Sequence, residues 1–193
     1  MKKKILITGA AGFIGSNLAN SLLKKKYQLI LVDDLSNGKL INLDYSNRKK
    51  LIKKQIQKIR ISFFKKIDCI IHLAASIDVN DTLKNYLITT NNNITSTLYT
   101  IKIAERCNCP IIFSSSAAVY EEKKNKKKII NPISPYGLDK LMCENLIKLF
   151  NNLKNINYII FRFFNIYGKN KNKYSSVINI FVENSKRNKN LIV

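Results

Sequence analysis

Residues 9–15, Gly9-Ala10-Ala11-Gly12-Phe13-Ile14-Gly15, constrain this chain more than any other stretch. The apolar run Lys4-Ile5-Leu6-Ile7 before them reads as a short strand. After them Phe13, Ile14, Leu18 and Leu22 recur at helical spacing, and the lysines at 24–26 suit a helix C-terminus. A strand turning at once into a helix needs backbone freedom at Gly9, an unobstructed backbone at Gly12 and close helix–strand contact at Gly15. Free N–H groups and the dipole at the helix start favour an anion there. The pattern therefore predicts a strand–turn–helix opening that cradles a pyrophosphate.

Short apolar runs alternate with helical stretches along the rest of the chain, as in a parallel sheet with crossover helices. Leu29–Val32 is a second strand ending at Asp33, whose carboxylate can accept ribose hydroxyls and would repel a 2′-phosphate, so NAD is expected rather than NADP. Residues 39–66 show no clean period. Strands are expected at 68–73, 110–113 and 158–161, and helices at about 91–106 and from Pro135, where Leu138, Leu141, Met142, Leu146, Leu149 and Phe150 form one stripe. The Lys-rich segment 121–128 reads as a polar loop, and the stretch after Gly168 as polar. The fold class is α/β, a Rossmann-like doubly wound parallel sheet. Residues 1–168 are expected to form the NAD-binding domain.

A second constellation comprises Ser116, Tyr136 and Lys140. Tyr136 and Lys140 stand i, i+4 at the start of a helix and so share one face. An ammonium beside a phenol favours the phenolate, which lets the tyrosine exchange a proton with a substrate hydroxyl. Ser116, in Ser114-Ser115-Ser116 at a strand end, can bond the same oxygen.

The chain carries 34 Lys and Arg against 12 Asp and Glu, a net +22 that attracts anionic substrates. The lysines are spread along the whole chain with much Asn, Ile, Tyr and Phe, residues that share A/T-rich codons, and no nucleic-acid-binding motif accompanies them. No nucleic-acid partner is expected. Apolar runs are too short to span a bilayer, and the one after Met1 is too short for a secretory signal, so no membrane partner and a cytoplasmic location are expected. Cys69, Cys107, Cys109 and Cys143 lack metal-ligand spacing and read as reduced structural thiols. His72 is the sole histidine, which excludes mechanisms needing two and leaves no metal site.

These motifs resemble the NAD-dependent epimerase/dehydratase family. The resemblance rests on Gly9/Gly12/Gly15, Val32-Asp33-Asp34-Leu35-Ser36-Asn37-Gly38, His72-Leu73-Ala74-Ala75 and Ser114-Ser115-Ser116-Ala117-Ala118-Val119-Tyr120. Tyr136-Gly137-Leu138-Asp139-Lys140 and Arg162-Phe163-Phe164-Asn165-Ile166-Tyr167-Gly168 complete it, all in family order across residues 5–168. It implies an NAD-dependent enzyme acting on a nucleotide sugar. Gly9, Gly12, Phe13, Ile14, Gly15, Asp33, Asn37, Leu73, Ala74, Ala75 and Asn93 would lie against the cofactor. Tyr136 would serve as acid/base, Lys140 would bind the nicotinamide ribose and Ser116 would be the second hydroxyl. Tyr136, Ser116 and Asn165 would touch the substrate, Asn165 at its diphosphate. The resemblance also implies that His72 shapes the cofactor site, that residues 169–193 begin a C-terminal substrate-binding lobe and that two copies can pair through the helices near 91–106 and 136–152.

Within the family, 4,6-dehydratases carry an Asp-Glu pair where this chain has Ala117 and Ala118. That substitution removes the catalysts of β-elimination and leaves epimerisation and simple ketone reduction; the resemblance within the family implies the 4-epimerase type, on a sugar such as UDP-glucose/UDP-galactose. The alternatives are an NAD-dependent nucleotide-sugar ketoreductase and a truncated, catalytically inactive NAD-binding module. Lys58 is read as standing where relatives carry an adenine-bonding Asp, and Ser96 replaces a small glycine. Family members continue well beyond Val193, so the expectation is a fragment, a site completed by a partner, or lost catalysis.

Overall fold

The computed structural model describes residues 2–25, 27–77, 79–122, 128–168, 177–187 and 190. β1 (Lys4–Thr8) leads into α1 (Phe13–Lys24) and β2 (Gln28–Val32). The stretch with no readable period folds into 3-10 turns, the short α2 (Tyr45–Lys50) and a two-residue β3 (Leu51–Ile52). Next come β4 (Cys69–His72), α3 (Val79–Lys84), α4 (Tyr86–Cys107) and β5 (Ile111–Ser116). β6 (Tyr120–Glu122), β7 (Lys128–Ile130), α5 (Pro135–Lys154), β8 (Tyr158–Phe163) and α6 (Val177–Lys186) complete the order.

Six strands pair in parallel in the order β3-β2-β1-β4-β5-β8, the doubly wound arrangement. Alternation along β1 splits the core into two layers. Ile5 and Ile7 join Ala19, Leu31 and Ile71 on the α1 face, while Leu6 joins Ile70, Ile111, Phe113, Ile103 and Ile147 on the α4–α5 face. Strand order reverses between β1 and β4, opening a crevice at their C-terminal ends.

Local chemistry sets the helix ends. Ser134 caps α5 by accepting the Gly137 N–H at 3.1 Å, with Pro135 opening the first turn. Asn108 and Asn155 close α4 and α5 in the left-handed region at φ 48° and 51°.

Several expectations need correction. α4 begins five residues earlier, at Tyr86 rather than 91. The segment read as a polar loop contributes Glu121, Glu122 and Lys128 to an antiparallel pairing of β6 with β7; its residues 123–127 lie outside the described ones. The stretch after Gly168 holds α6, although residues 169–176 are likewise outside. The apolar stripe of α5 is only partly its buried side: Leu146 and Phe150 pack against the core, but Leu138, Met142 and Leu149 are exposed, and Gly137, Asp139, Lys140, Cys143, Glu144 and Ile147 are buried. This arrangement is possible because each buried polar group has a partner. Among the described residues no helix is long and apolar enough to cross a membrane.

Candidate active site

A cleft of about 870 Å³ lies over the β1/β4 crevice. Its floor is the glycine turn. Gly9 takes φ +66°, and a Cβ there would stand 2.8 Å from the Ala74 nitrogen, so the segment after β4 presses directly on the turn. A Cβ on Gly15 would meet the Gly9 oxygen at 2.1 Å. Gly12 differs: its Cβ would meet only that oxygen, at 3.3 Å, leaving the backbone open. Gly12 caps α1 without a side-chain hydrogen bond, and no acidic residue stands in the first turn. The helix dipole at that start favours an anion.

One wall rises from β2. Asp33 is buried, its Oδ2 accepting the Ala11 N–H at 2.9 Å and its Oδ1 the Leu35 N–H at 2.8 Å. Burial raises its pKa, and the two N–H donors only partly offset that. Each oxygen keeps a second lone pair for a ligand hydroxyl. Gly38 must be glycine here, since a Cβ would sit 2.8 Å from Asp33 Oδ1. Gln55, Ile56 and Gln57 continue the wall and Lys58 does not line it, which corrects its assignment to the base-binding position. Two successive 3-10 turns in this segment defeat positional counting.

The opposite wall joins β4, α4 and α5. Thr8 Oγ1 accepts the N–H groups of Leu73 and Ala74, each at 3.2 Å, so its own proton goes to His72 Nδ1 at 2.7 Å. His72 Nε2–H then donates to Thr97 Oγ1 at 3.1 Å, and Thr97 donates to the Asn93 carbonyl at 2.9 Å. Burial, helped by the Lys140 charge, holds the His72 pKa at about 3, so the ring stays neutral and ties three elements together.

Lys140, 3 % exposed, donates to the Ser114 carbonyl at 2.7 Å, and its Nζ lies 5.8 Å from the Tyr136 ring centroid. Burial lowers its pKa to about 8, with Cys143, Asp139 and Glu144 opposing the shift. Ser116 Oγ accepts the Ala118 N–H at 3.1 Å and keeps its own proton to give. What brings Ser116 and Tyr136 to one place is Gly137, where a Cβ would be 2.2 Å from the Ala118 oxygen. Behind them Glu144 accepts from Ser115 at 2.6 Å and from Arg162 at 2.8 and 2.7 Å.

Gly9, Gly12, Phe13, Ile14, Gly15, Asp33, Asn37, Leu73, Ala74, Ala75, Asn93, Ser116, Tyr136 and Lys140 all line this one cleft. Asn165 does not line it: it is exposed, while Phe164 and Ile166 beside it reach the wall. Sequence reasoning gave no role to Thr8 and Gln55, nor to Gly38, Gly137 and Asp139 although the motifs contain them. The role of Gly137 could have been found, since a glycine in the first turn of a helix signals close approach. All four cysteines are free, and no group of metal ligands occurs among the described residues.

A doubly wound sheet, a glycine turn under an uncapped helix start and a Tyr–Lys pair at the crevice define a dinucleotide-binding α/β protein. The chain matches the NAD dependent epimerase/dehydratase family over residues 5–193 and belongs to it. It is 34% identical to a Methanocaldococcus jannaschii protein bearing a provisional UDP-glucose 4-epimerase name, over 98% of this chain and 65% of that one. It is 30% identical to UDP-glucose 4-epimerase of Lactobacillus helveticus, over 86% of this chain and 52% of that one. Among solved structures, UDP-N-acetylglucosamine 4-epimerase from Methanobrevibacter ruminantium in complex with UDP-N-acetylmuramic acid superposes with TM-score 0.85 at 31% identity, covering 98% of this chain and 64% of that one. UDP-glucose 4-epimerase from Thermotoga maritima with UDP-glucose gives 0.82 at 27%, covering 96% and 64%. The chain thus spans between half and two thirds of these relatives. NAD is the family's cofactor, and the open Gly12 backbone, the bare helix start and the free lone pairs of Asp33 fit it.

Proposed function

We propose that this chain carries the cofactor-binding and proton-transfer half of a 4-epimerase acting on a UDP-hexose. The observation that carries the reading is the convergence of Ser116, Tyr136 and Lys140 at the end of the cleft that begins at the glycine turn. Gly12 and the α1 start would hold the pyrophosphate, Asp33 the adenosine ribose, and Lys140 the nicotinamide ribose. NAD, when bound, supplies a reversible hydride acceptor. Tyr136 would take the proton of the sugar's 4-hydroxyl and return it, while Ser116 holds the same oxygen. Lys140 keeps the phenolate favourable, and its bond to Ser114 aims its ammonium at the site. Asn165 would act at the substrate diphosphate. The segment 169–193 would open a substrate lobe distinct from the domain of residues 1–168.

The test is UDP-glucose/UDP-galactose interconversion with added NAD. Tyr136→Phe is expected to lower the rate about 10²–10⁴-fold. The wild-type rate should fall as pH rises through about 8, where the Lys140 ammonium is lost. Tyr136→Phe turning over at the wild-type rate would exclude the mechanism. A ketoreductase would instead change the NADH level with each turnover, which the closed cycle does not. A second reading, NAD binding without turnover, is favoured by the 52% and 65% spans of the relatives, and calorimetry with NAD alongside the assay separates it.

The outward side of α5, with Leu138, Met142, Leu149 and Leu153 exposed, suits a second copy of the chain. Sedimentation should show a dimer that Met142→Glu converts to monomer; a monomeric wild type would exclude this partner.

A further inference from the structure

Asp139 precedes Lys140 on the catalytic helix, is 1 % exposed and forms no ion pair among the described residues. Its Oδ1 accepts from Thr90 Oγ1 at 2.8 Å and its Oδ2 from Asn93 Nδ2 at 2.9 Å, both on α4. Asn93, 3 % exposed, turns its Oδ1 to the Ser76 N–H at 2.7 Å. Ser76 directly follows Leu73-Ala74-Ala75 and lines the cleft with them. We propose that Asp139 is a positioning residue that fixes the cofactor-facing segment 73–76 by holding the Asn93 amide in the orientation in which its Oδ1 accepts the Ser76 N–H and its Nδ2 also donates to the Ser76 carbonyl, at 3.3 Å.

The argument is one of donors and acceptors. Both carboxylate oxygens of Asp139 accept, so Asn93 presents its NH₂ to Asp139 and its oxygen to the Ser76 N–H. A flipped amide would set oxygen against carboxylate and NH₂ against the Ser76 N–H, leaving buried groups unsatisfied. Thr90 holds the other carboxylate oxygen, so the Asp139 rotamer is pinned as well. The link runs from the turn that carries Tyr136 and Lys140 to the wall opposite Asp33. A shift at Asp139 therefore reaches the cofactor without touching it. This inference rests on the reading of the cleft as an NAD site.

The test is NAD affinity by calorimetry, well below the melting temperature and at pH 6.5. Asp139→Ala and Asn93→Ala are each expected to weaken NAD about tenfold, and the double variant about tenfold again in total rather than a hundredfold, because both cut one link. Asp139→Asn should bind within about threefold of wild type, since its oxygen can face Asn93 while its NH₂ faces Thr90. Should Asp139→Ala fail to fold, Thr90→Val/Asp139→Asn, close to isosteric at both positions, is the second variant. Without the Thr90 oxygen the introduced amide loses its second anchor and is held by Asn93 alone, and the same tenfold loss is expected. A purely structural role would lower the melting temperature and leave affinity intact. Affinities unchanged in Asp139→Ala or in the second variant, or single losses that multiply, overturn the proposal while the NAD site stands. A wild type that fails to bind NAD overturns the functional reading and this proposal together.

Discussion

Glu144→Ala is expected to destabilise the fold by about 3 kcal/mol at pH 7, lowering the melting temperature by roughly 6–12 °C. The Glu144 side chain is 1 % exposed and takes both Arg162 contacts, and Arg162 is itself only 20 % exposed. Removing the carboxylate leaves a largely buried guanidinium to the hydroxyl of Tyr120, at 2.6 Å, and the face of its ring. It also strips the Ser115 hydroxyl of its acceptor, one residue from Ser116. Burial alone would raise the Glu144 pKa, but the hydrogen bonds from Arg162 and Ser115 more than offset it and the net shift is downward. A carboxylate depressed in the folded state stabilises fully above its unfolded value, near 4.5, and loses that contribution as pH falls through the folded value. The wild type's advantage over Glu144→Gln should thus be constant near neutrality and shrink below about pH 4.5. Glu105 is the control: its pairs with Lys102 and Lys154 are solvent-facing, and Glu105→Ala should barely move the melting temperature. Thermal melts of the variants between pH 3 and 7 decide it, and equal stability of wild type and Glu144→Ala at pH 7 would refute the role given to this pair.

Glu144 also shows where sequence reading stops. The strands came through because parallel strands buried on both faces are continuous apolar runs, as in Ile5-Leu6-Ile7 and Leu29–Val32. The glycine turn came through because its three glycines answer separate steric demands at fixed spacing. α5 misled because periodicity weighs apolarity alone. Its inward face mixes Cys143 and Ile147 with buried polar groups, and partners distant in sequence make those tolerable: Ser114 for Lys140, Thr90 and Asn93 for Asp139, Arg162 and Ser115 for Glu144. The hairpin β6–β7 was hidden by Glu121, Glu122 and Lys128, charged residues with weak strand preference. In the candidate site, most cleft-lining residues were legible from their motif, Gln55 being an exception. The hydrogen-bonding role of Thr8 beneath His72 was not legible, because a buried threonine in a strand looks like any other.

Gly137→Ala is expected to cost more function than its single methyl suggests. The added carbon would lie 2.2 Å from the Ala118 oxygen and 3.0 Å from the Ala118 carbonyl carbon, and both belong to backbone that no rotamer change can move. Relief requires the start of α5 to retreat from the turn after β5 by the better part of an ångström. Such a retreat carries Tyr136 away from Ser116 while Lys140, one turn on, stays tied to Ser114. A misplacement of about 1 Å in a reacting group costs on the order of 10²-fold in rate. Overpacking of this kind also destabilises by about 1–3 kcal/mol. NAD affinity depends on the glycine turn at the far end of the cleft and should weaken less than turnover. The signature is therefore a folded protein with a somewhat lower melting temperature, near-normal NAD binding by calorimetry and at least a hundredfold lower epimerisation. Lys50→Ala, exposed on α2 and outside both the cleft and the outward side of α5, is the comparison and should behave as wild type in all three. If Gly137→Ala retained full turnover, Tyr136 would not depend on the close approach at Ala118, and the geometry assigned to the proton-transfer site would be wrong.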